Sequence, residues 1–329
     1  MTTLTQIDGL ADDLDPDIRR FVAETSAAYA AGGPFATLSF PEQRTLAEAV
    51  RAPWRQGGPA MARTEDLLVD TPHGPVKVRL HHPPPKGASP DGPRPALIYL
   101  HGGGWTLFSL DTHDRVMREY AASAGMVVVG VDYSLSPEVR FPVALEQVEA
   151  VAIWLRANGR EHGVDTARLA VGGDSAGACL SMSLALKLRD QGAGDLLKAL
   201  LLIYPVFDTE VSDDAARRHG GEGFMLSAAE LAGFWANYLS GPDDANNPLA
   251  RPMRADVTGL PPACLTIAER DILAEQGLAM AARLRAAGIE TRSDIYAGAT
   301  HSFLEAVSIA PIARRAIDDG ATWLWDVLA

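Results

Sequence analysis

Cysteine is scarce in this chain of 329 residues: there are two, Cys179 and Cys264, each flanked by apolar neighbours. That argues against a disulfide framework and for reduced thiols in a core. Long hydrophobic runs are missing too. The greasiest stretch, "LLKALLLIYPVF" (196–207), is too short to span a bilayer and is broken by Lys198. Positive charge is in deficit, with 29 Lys and Arg against 42 Asp and Glu and a formal net charge of −13. Such a chain repels phosphate backbones and anionic membrane surfaces, which disfavours nucleic acid and membrane as partners. The opening "MTTLTQIDGLADDLDPDIRR" lacks the apolar core of a secretion signal, so a cytoplasmic location is the expectation. No metal-ligand spacing, flavin motif or nicotinamide motif is visible, so no cofactor and no metal are expected.

What is there is alternation. From about residue 66, short apolar strand candidates ("EDLLVD", "VKVRLHH", "ALIYLHG", "MVVVGVDY", "RLAVGG", "ALLLIYPVF", "ACLTIAE", "TRSDIYAG") are mostly separated by helical patterns. From "ALIYLHG" onward they are largely apolar on both faces, and the alternation predicts a parallel sheet covered by helices. "PVALEQVEAVAIWLRANG" predicts a helix with Pro142 in its first turn and Gly159 as its C-cap. Two regions depart from the rhythm: residues 1–60, helical in pattern, and residues 208–250, a polar stretch followed by the amphipathic "SAAELAGFWANYLS". Phe224, Met225, Phe234 and Trp235 give that insertion a heavy apolar load, which fits a lid over a site better than surface decoration.

Chemistry is suggested by "RLAVGGDSAG". A strand meets Gly173-Asp-Ser-Ala-Gly177, and helix formers follow at once. In G-x-S-x-G the glycines allow strand and helix to approach closely while the serine sits on a strained corner, here Ser175 at the carboxyl edge of a parallel sheet. The N–H groups of the new helix point at any negative charge formed there. With 30 glycines the pattern also arises as an ordinary turn, so other residues must carry the assignment. "ALIYLHGGGWTLF" supplies the first: consecutive glycines can turn backbone donors inward, and Gly103, Gly104 and Ala176 would form an oxyanion hole. A phosphate loop is the alternative, but neither G-x-G-x-x-G nor a closing Gly-Lys-Ser/Thr follows. Of eight histidines, His301 alone follows the last strand candidate, at the sheet edge and after Ser175, and is the candidate base. His81 and His82 would point to opposite faces of a strand, His113 reads as a surface or packing residue, and His101 as a brace for the glycine loop. For the acid, Asp271 and Asp208 both end strands between Ser175 and His301; Asp208 opens the polar insertion, which favours Asp271 without deciding it. Trp105, Phe224, Phe234 and Trp235 are the candidate substrate-pocket residues.

"HGGGW", "GDSAG", "DYSLSPEVRFPVALEQ", "RDILAEQG" and "GATHSF", in this order, resemble the hormone-sensitive-lipase-like branch of the α/β-hydrolase esterases. "LDTHDRVMREYA", "LALKLRDQG" and "AIDDGATWLW" are similar to its bacterial acetyl esterases. The resemblance runs from about residue 60 to the end. It implies an α/β-hydrolase fold: an eight-stranded, mostly parallel sheet flanked by helices, with a helical cap. Residues 1–60 would be an N-terminal cap segment, 61–207 and 251–329 the catalytic core, and 208–250 the cap insertion. It also selects the acid, because the family's aspartate lies in a D-P-L stretch that here reads Asp271-Ile-Leu273. The missing proline implies a less rigid loop. The family's Y-R-L-A-P-E appears as Tyr133-Ser-Leu-Ser-Pro-Glu138, and loss of the arginine implies loss of a structural ion pair. The implied activity is serine carboxylesterase on a small-molecule ester with a short acyl chain, with an amidase or peptidase on the same scaffold, or a non-catalytic binding protein, as alternatives. A homodimer is the one assembly allowed for.

Overall fold

Valine, isoleucine and leucine dominate the middle strands because both faces of the sheet are covered. The computed structural model of the chain describes residues 13–85, 92–221 and 223–329. Its strands are β1 (Arg63–Val69), β2 (Val76–His82), β3 (Arg94–Leu100), β4 (Val127–Val131), β5 (Val164–Asp174), β6 (Leu197–Ile203), β7 (Ala263–Ala268) and β8 (Thr291–Tyr296). They form one eight-stranded sheet in the order β1-β2-β4-β3-β5-β6-β7-β8. β2 pairs antiparallel with β1 and β4, and the pairs from β4 onward are parallel. All eight strand candidates are found, with ends displaced by up to four residues. The outermost strands differ from the interior ones: β1 alternates in exposure, and β8 is mostly half-exposed up to Tyr296, as edges bordering water do.

Helices before, between and after the strands are α1 (Pro16–Ala31), α2 (Phe40–Arg51), α3 (Asp114–Ala124), α4 (Val143–Asn158), α5 (Ala176–Asp190), α6 (Asp213–His219), α7 (Ala228–Tyr238), α8 (Pro242–Asn246), α9 (Ala274–Ala286) and α10 (Pro311–Leu328). Side chains of β3 divide by parity. Ala96, Ile98 and Leu100 join a core with residues of α4, α5 and α9, while Leu97 and Tyr99 join one with residues of α1, α3 and α10. Burial of this extent, at roughly 25 cal/mol per Å² of apolar surface, is the main force holding the layers together. No helix among the described residues is long and apolar enough to cross a membrane.

Local signals set several ends. Ser39 with Glu42 and Ser227 with Glu230 form capping boxes that start α2 and α7. Gly159 is the C-cap of α4, as expected, with its N–H bonded to Leu155 O. Gly159 keeps a right-handed conformation, the chain continues in a 3-10 turn to His162, and Gly163 at φ +75° takes the left-handed position. A cap of that kind follows where the chain reverses, not the first glycine met. The helical expectation for 1–60 is met by α1 and α2; residues 1–12 lie outside the described residues. Asp15 N donates to Gly298 O (2.9 Å), tying the start of α1 to the loop after β8.

Candidate active site

A single residue separates β5 from α5. Ser175 sits there at φ +54°, ψ −114°, a conformation side chains rarely adopt. The glycines around it are explained by β3: a β-carbon at Gly173 or at Gly177 would overlap the carbonyl oxygen of Leu100. Ser175 N donates to Ile203 O at 2.9 Å, which pins the corner to β6. The turn therefore leaves the hydroxyl at the carboxyl edge of the sheet.

His301 and Asp271 arrive there from the loops after β8 and β7. His301 Nε2 lies 2.9 Å from Ser175 Oγ, and His301 Nδ1 lies 2.7 Å from Asp271 Oδ2. An ionised carboxylate only accepts, so Nδ1 carries the proton donated to Asp271 and Nε2 is free to accept from the serine. The second oxygen, Asp271 Oδ1, accepts from Leu273 N at 2.9 Å, and Asp271 O accepts from Ala274 N at 3.0 Å. Those bonds, with Ile272 buried, close the turn in which Ile272 stands where the family motif has proline. Tyr204 presents its ring edge-on to the imidazole at 5.0 Å. Asp208, the alternative acid, is elsewhere: it pairs with Arg251, whose Nε stands 3.0 Å from Oδ1, and its backbone is held by Gln276.

On the other side of Ser175, the glycine loop takes left-handed turns at Gly103 (φ +106°) and Gly104 (φ +58°). Gly103 O accepts from Thr106 N (3.0 Å) and Leu107 N (2.9 Å). Among the described residues no acceptor is bonded to the N–H of Gly103, Gly104 or Ala176. The loop is braced by Asp174, a residue that sequence reasoning passed over. Asp174 Oδ1 accepts from Tyr99 Oη (2.8 Å) and Gly102 N (3.1 Å), and Oδ2 lies 3.3 Å from His113 Nε2. Burial alone would raise its pKa, but the charge and hydrogen bond of His113, with Tyr99, hold it below the usual carboxylate value. Burial likewise opposes protonation of His113, but the charge and hydrogen bond of Asp174, with the Glu305 charge, together outweigh it, so His113 is raised. A carboxylate directly after the apolar run Leu169-Ala-Val-Gly-Gly173 was the available signal, since a buried charge demands partners. His113 is thus a buried packing residue, not a surface one. His101 braces the loop as expected, stacked on Tyr133 with Nδ1 2.7 Å from Gly102 O.

The pocket expectation needs correction. Trp105 and Trp235 are buried core: Trp105 stacks on Tyr238 at 4.1 Å and meets Trp235 at 4.6 Å. Apolar bulk beside a loop was read as lining when it packs inward. Phe234, one position before Trp235 on α7, does reach the site, and its ring occupies the space a β-carbon on Gly104 would need. Phe224 lies edge-on to His219 at 5.2 Å. Phe108, which the sequence did not single out, stands against Gly103 in a left-handed conformation (φ +72°). Glu138 keeps an ion pair despite the missing arginine, because Arg44 of α2 binds both its oxygens (2.9 and 2.6 Å).

Residues 97–305 match a family model described as the alpha/beta hydrolase fold. Over 272 residues the chain is 35% identical to an acetyl esterase of Salmonella paratyphi B, covering 82% of this chain and 81% of that protein. The chain belongs to the hormone-sensitive-lipase-like α/β-hydrolase esterases. Solved esterases share its backbone. A hyperthermophilic esterase from the archaeon Pyrobaculum calidifontis superimposes with TM-score 0.87 at 32% identity, over 95% of this chain and 98% of that one. A thermostable esterase from Pseudomonas putida gives 0.88 at 30% identity, over 97% and 99%. This member of the α/β-hydrolase esterases is a carboxylic ester hydrolase.

Proposed function

We propose that the ester hydrolase works through a covalent acyl-enzyme on Ser175 and prefers short, acetyl-like acyl groups. His301 Nε2 takes the proton of Ser175 Oγ as the oxygen attacks the ester carbonyl. Asp271 holds the imidazole in the required tautomer and stabilises it once it is positive. The carbonyl oxygen, now an anion, accepts hydrogen bonds from the N–H groups of Gly103, Gly104 and Ala176, worth about 10²–10³ in rate per donor. His301 returns its proton to the leaving alkoxide, and the alcohol departs. Water then repeats the sequence on the acyl-enzyme, releasing the acid and restoring Ser175.

The observation that carries this reading is the continuous chain of contacts, 2.9 Å from Ser175 to His301 and 2.7 Å from His301 to Asp271. The short-acyl preference draws on the relatives named as acetyl esterases and on Phe234 against Gly104. The segments before β1 and between β6 and β7 form the cap. The deciding experiment is turnover of a chromogenic acetate ester. The parent hydrolyses it and Ser175→Ala does not, while a mutant that still turns over removes the serine mechanism.

A further inference from the structure

The N-terminal helix α2 does more than cover the site. Its residues Arg44, Glu48 and Arg51 recur at i, i+4 and i+7, so they share one face, and that face lies on three separate active-site loops. Arg44 Nε donates to Thr106 O and Nη2 to Ser136 O, both at 2.9 Å, in addition to its pairing with Glu138. Glu48 Oε1 accepts from Ser109 Oγ at 2.6 Å. Arg51 Nε lies 3.1 Å from Glu305 Oε2, and both side chains are at most 4% exposed. The Arg51–Glu305 contact is one of charges rather than an aligned hydrogen bond. The Arg51 guanidinium also lies 4.9 Å from the ring centre of Phe108 and 5.6 Å from that of Phe21.

We propose that Arg44, Glu48 and Arg51 of α2 are positioning residues for the ester hydrolysis, fixing the glycine loop and the His301 loop from outside. The proposal rests on the Ser175 reading above. Thr106 N is bonded to Gly103 O and Thr106 Oγ1 to Gly104 O (3.0 Å), so a pull on Thr106 turns the Gly103–Gly104 peptide plane, whose N–H faces the anion, and the plane next to it. Phe108, which touches Gly103, is held by the Arg51 guanidinium. Glu305 follows His301 by four residues, and its N donates to Ser302 O (3.1 Å). Residues 101 to 113, between β3 and α3, form no regular helix or strand, so their placement depends on ties of this kind. Catalytic donors tolerate only about 0.5 Å of error, and a displacement of about 1 Å costs on the order of 10²-fold in rate. An α2 serving merely as cover would need none of these contacts.

The test compares Glu48→Ala, Arg51→Met, Arg51→Lys and Glu305→Gln with the parent on a chromogenic acetate ester, per folded enzyme as judged by circular dichroism and thermal melting. Positioning gives Arg51→Met a kcat lowered by about tenfold or more with KM within about threefold, and gives Arg51→Lys partial recovery. Glu48→Ala, at a half-exposed site, loses kcat in the same manner and decides the matter if the buried variants do not fold. Parental kcat in Glu48→Ala and in any folded Arg51→Met overturns the proposal, whether or not melting temperature falls. So does a raised KM at unchanged kcat, which would make α2 a substrate contact. Failure of the underlying reading looks different: Ser175→Ala would then remain active.

Discussion

Glycine 177 shows how little freedom the corner has. Its missing β-carbon is what lets α5 start against the Leu100 carbonyl, so Gly177→Ala must displace either β3 or the helix. Overpacking of this sort costs about 1–3 kcal/mol. Turnover should fall further than stability, because Ser175 moves with the helix. A thermal melt beside an acetate-ester assay checks both. The two candidate acids can be separated in the same way. Asp271→Asn leaves the shape of the turn and removes the charge facing His301 Nδ1, and kcat should drop by about 10⁴-fold. Asp208→Asn should stay within a few-fold of the parent, since Asp208 serves Arg251 and the insertion. Equal effects would reopen the choice. At this scale the sequence was informative wherever chemistry and backbone conformation coincide, as at Ser175 and Gly103. It was silent on Asp174 and Arg51, whose hydrogen-bond and ion-pair partners come from 61 or more residues away.

Helix α7 illustrates the limits of pattern at the scale of an element. Its periodicity is plain and its start is marked by Ser227 and Glu230, yet the pattern could not say which of Phe234 and Trp235 faces the site. Packing decided it: Trp235 goes to Trp105 and Tyr238, and Phe234 to Gly104. Phe234→Ala should therefore widen the space beside the glycine loop. The ratio of kcat/KM for a hexanoate over an acetate ester should rise by about tenfold, within the range that a few methylenes are worth. An unchanged ratio would place the acyl limit elsewhere. Helix α2 shows the same limit more sharply. Its buried apolar residues are only Ala47 and Val50, so hydrophobic pattern could place it near the core but not reveal the polar face that binds the loops.

For the whole molecule, buried histidines make stability depend on pH in two opposite directions. Burial pushes His101 down to about 3 from 6.5 and His81 down to about 4. The unfolded chain gains protons below about 6.5 that these sites refuse, so stability falls as pH drops from there, by up to about 1.4 kcal/mol per pH unit for each. His113 is raised, so its contribution is complete below 6.5 and is lost as pH climbs through its folded value. Asp174 is depressed, so its contribution holds above 3.8 and is lost only on stronger acidification. Urea denaturation from pH 5 to 9 should show a maximum near neutrality, and His101→Asn should flatten the acid side. An acid side as steep as the parent's would remove His101 from the account.

The sequence by itself determined the layered α/β plan, because strands covered on both faces must be apolar throughout and their helices must carry an apolar stripe. It determined Ser175 and the glycines as well, since a backbone forced through left-handed turns beside a close-packed carbonyl leaves few residues able to occupy it. Tertiary structure alone decided that Asp208 pairs with Arg251, which aromatic reaches the glycine loop and which helix ties the loops down. Those contacts join residues remote along the chain, and a side chain's partner is fixed by where the packed elements bring it, not by its neighbours in sequence.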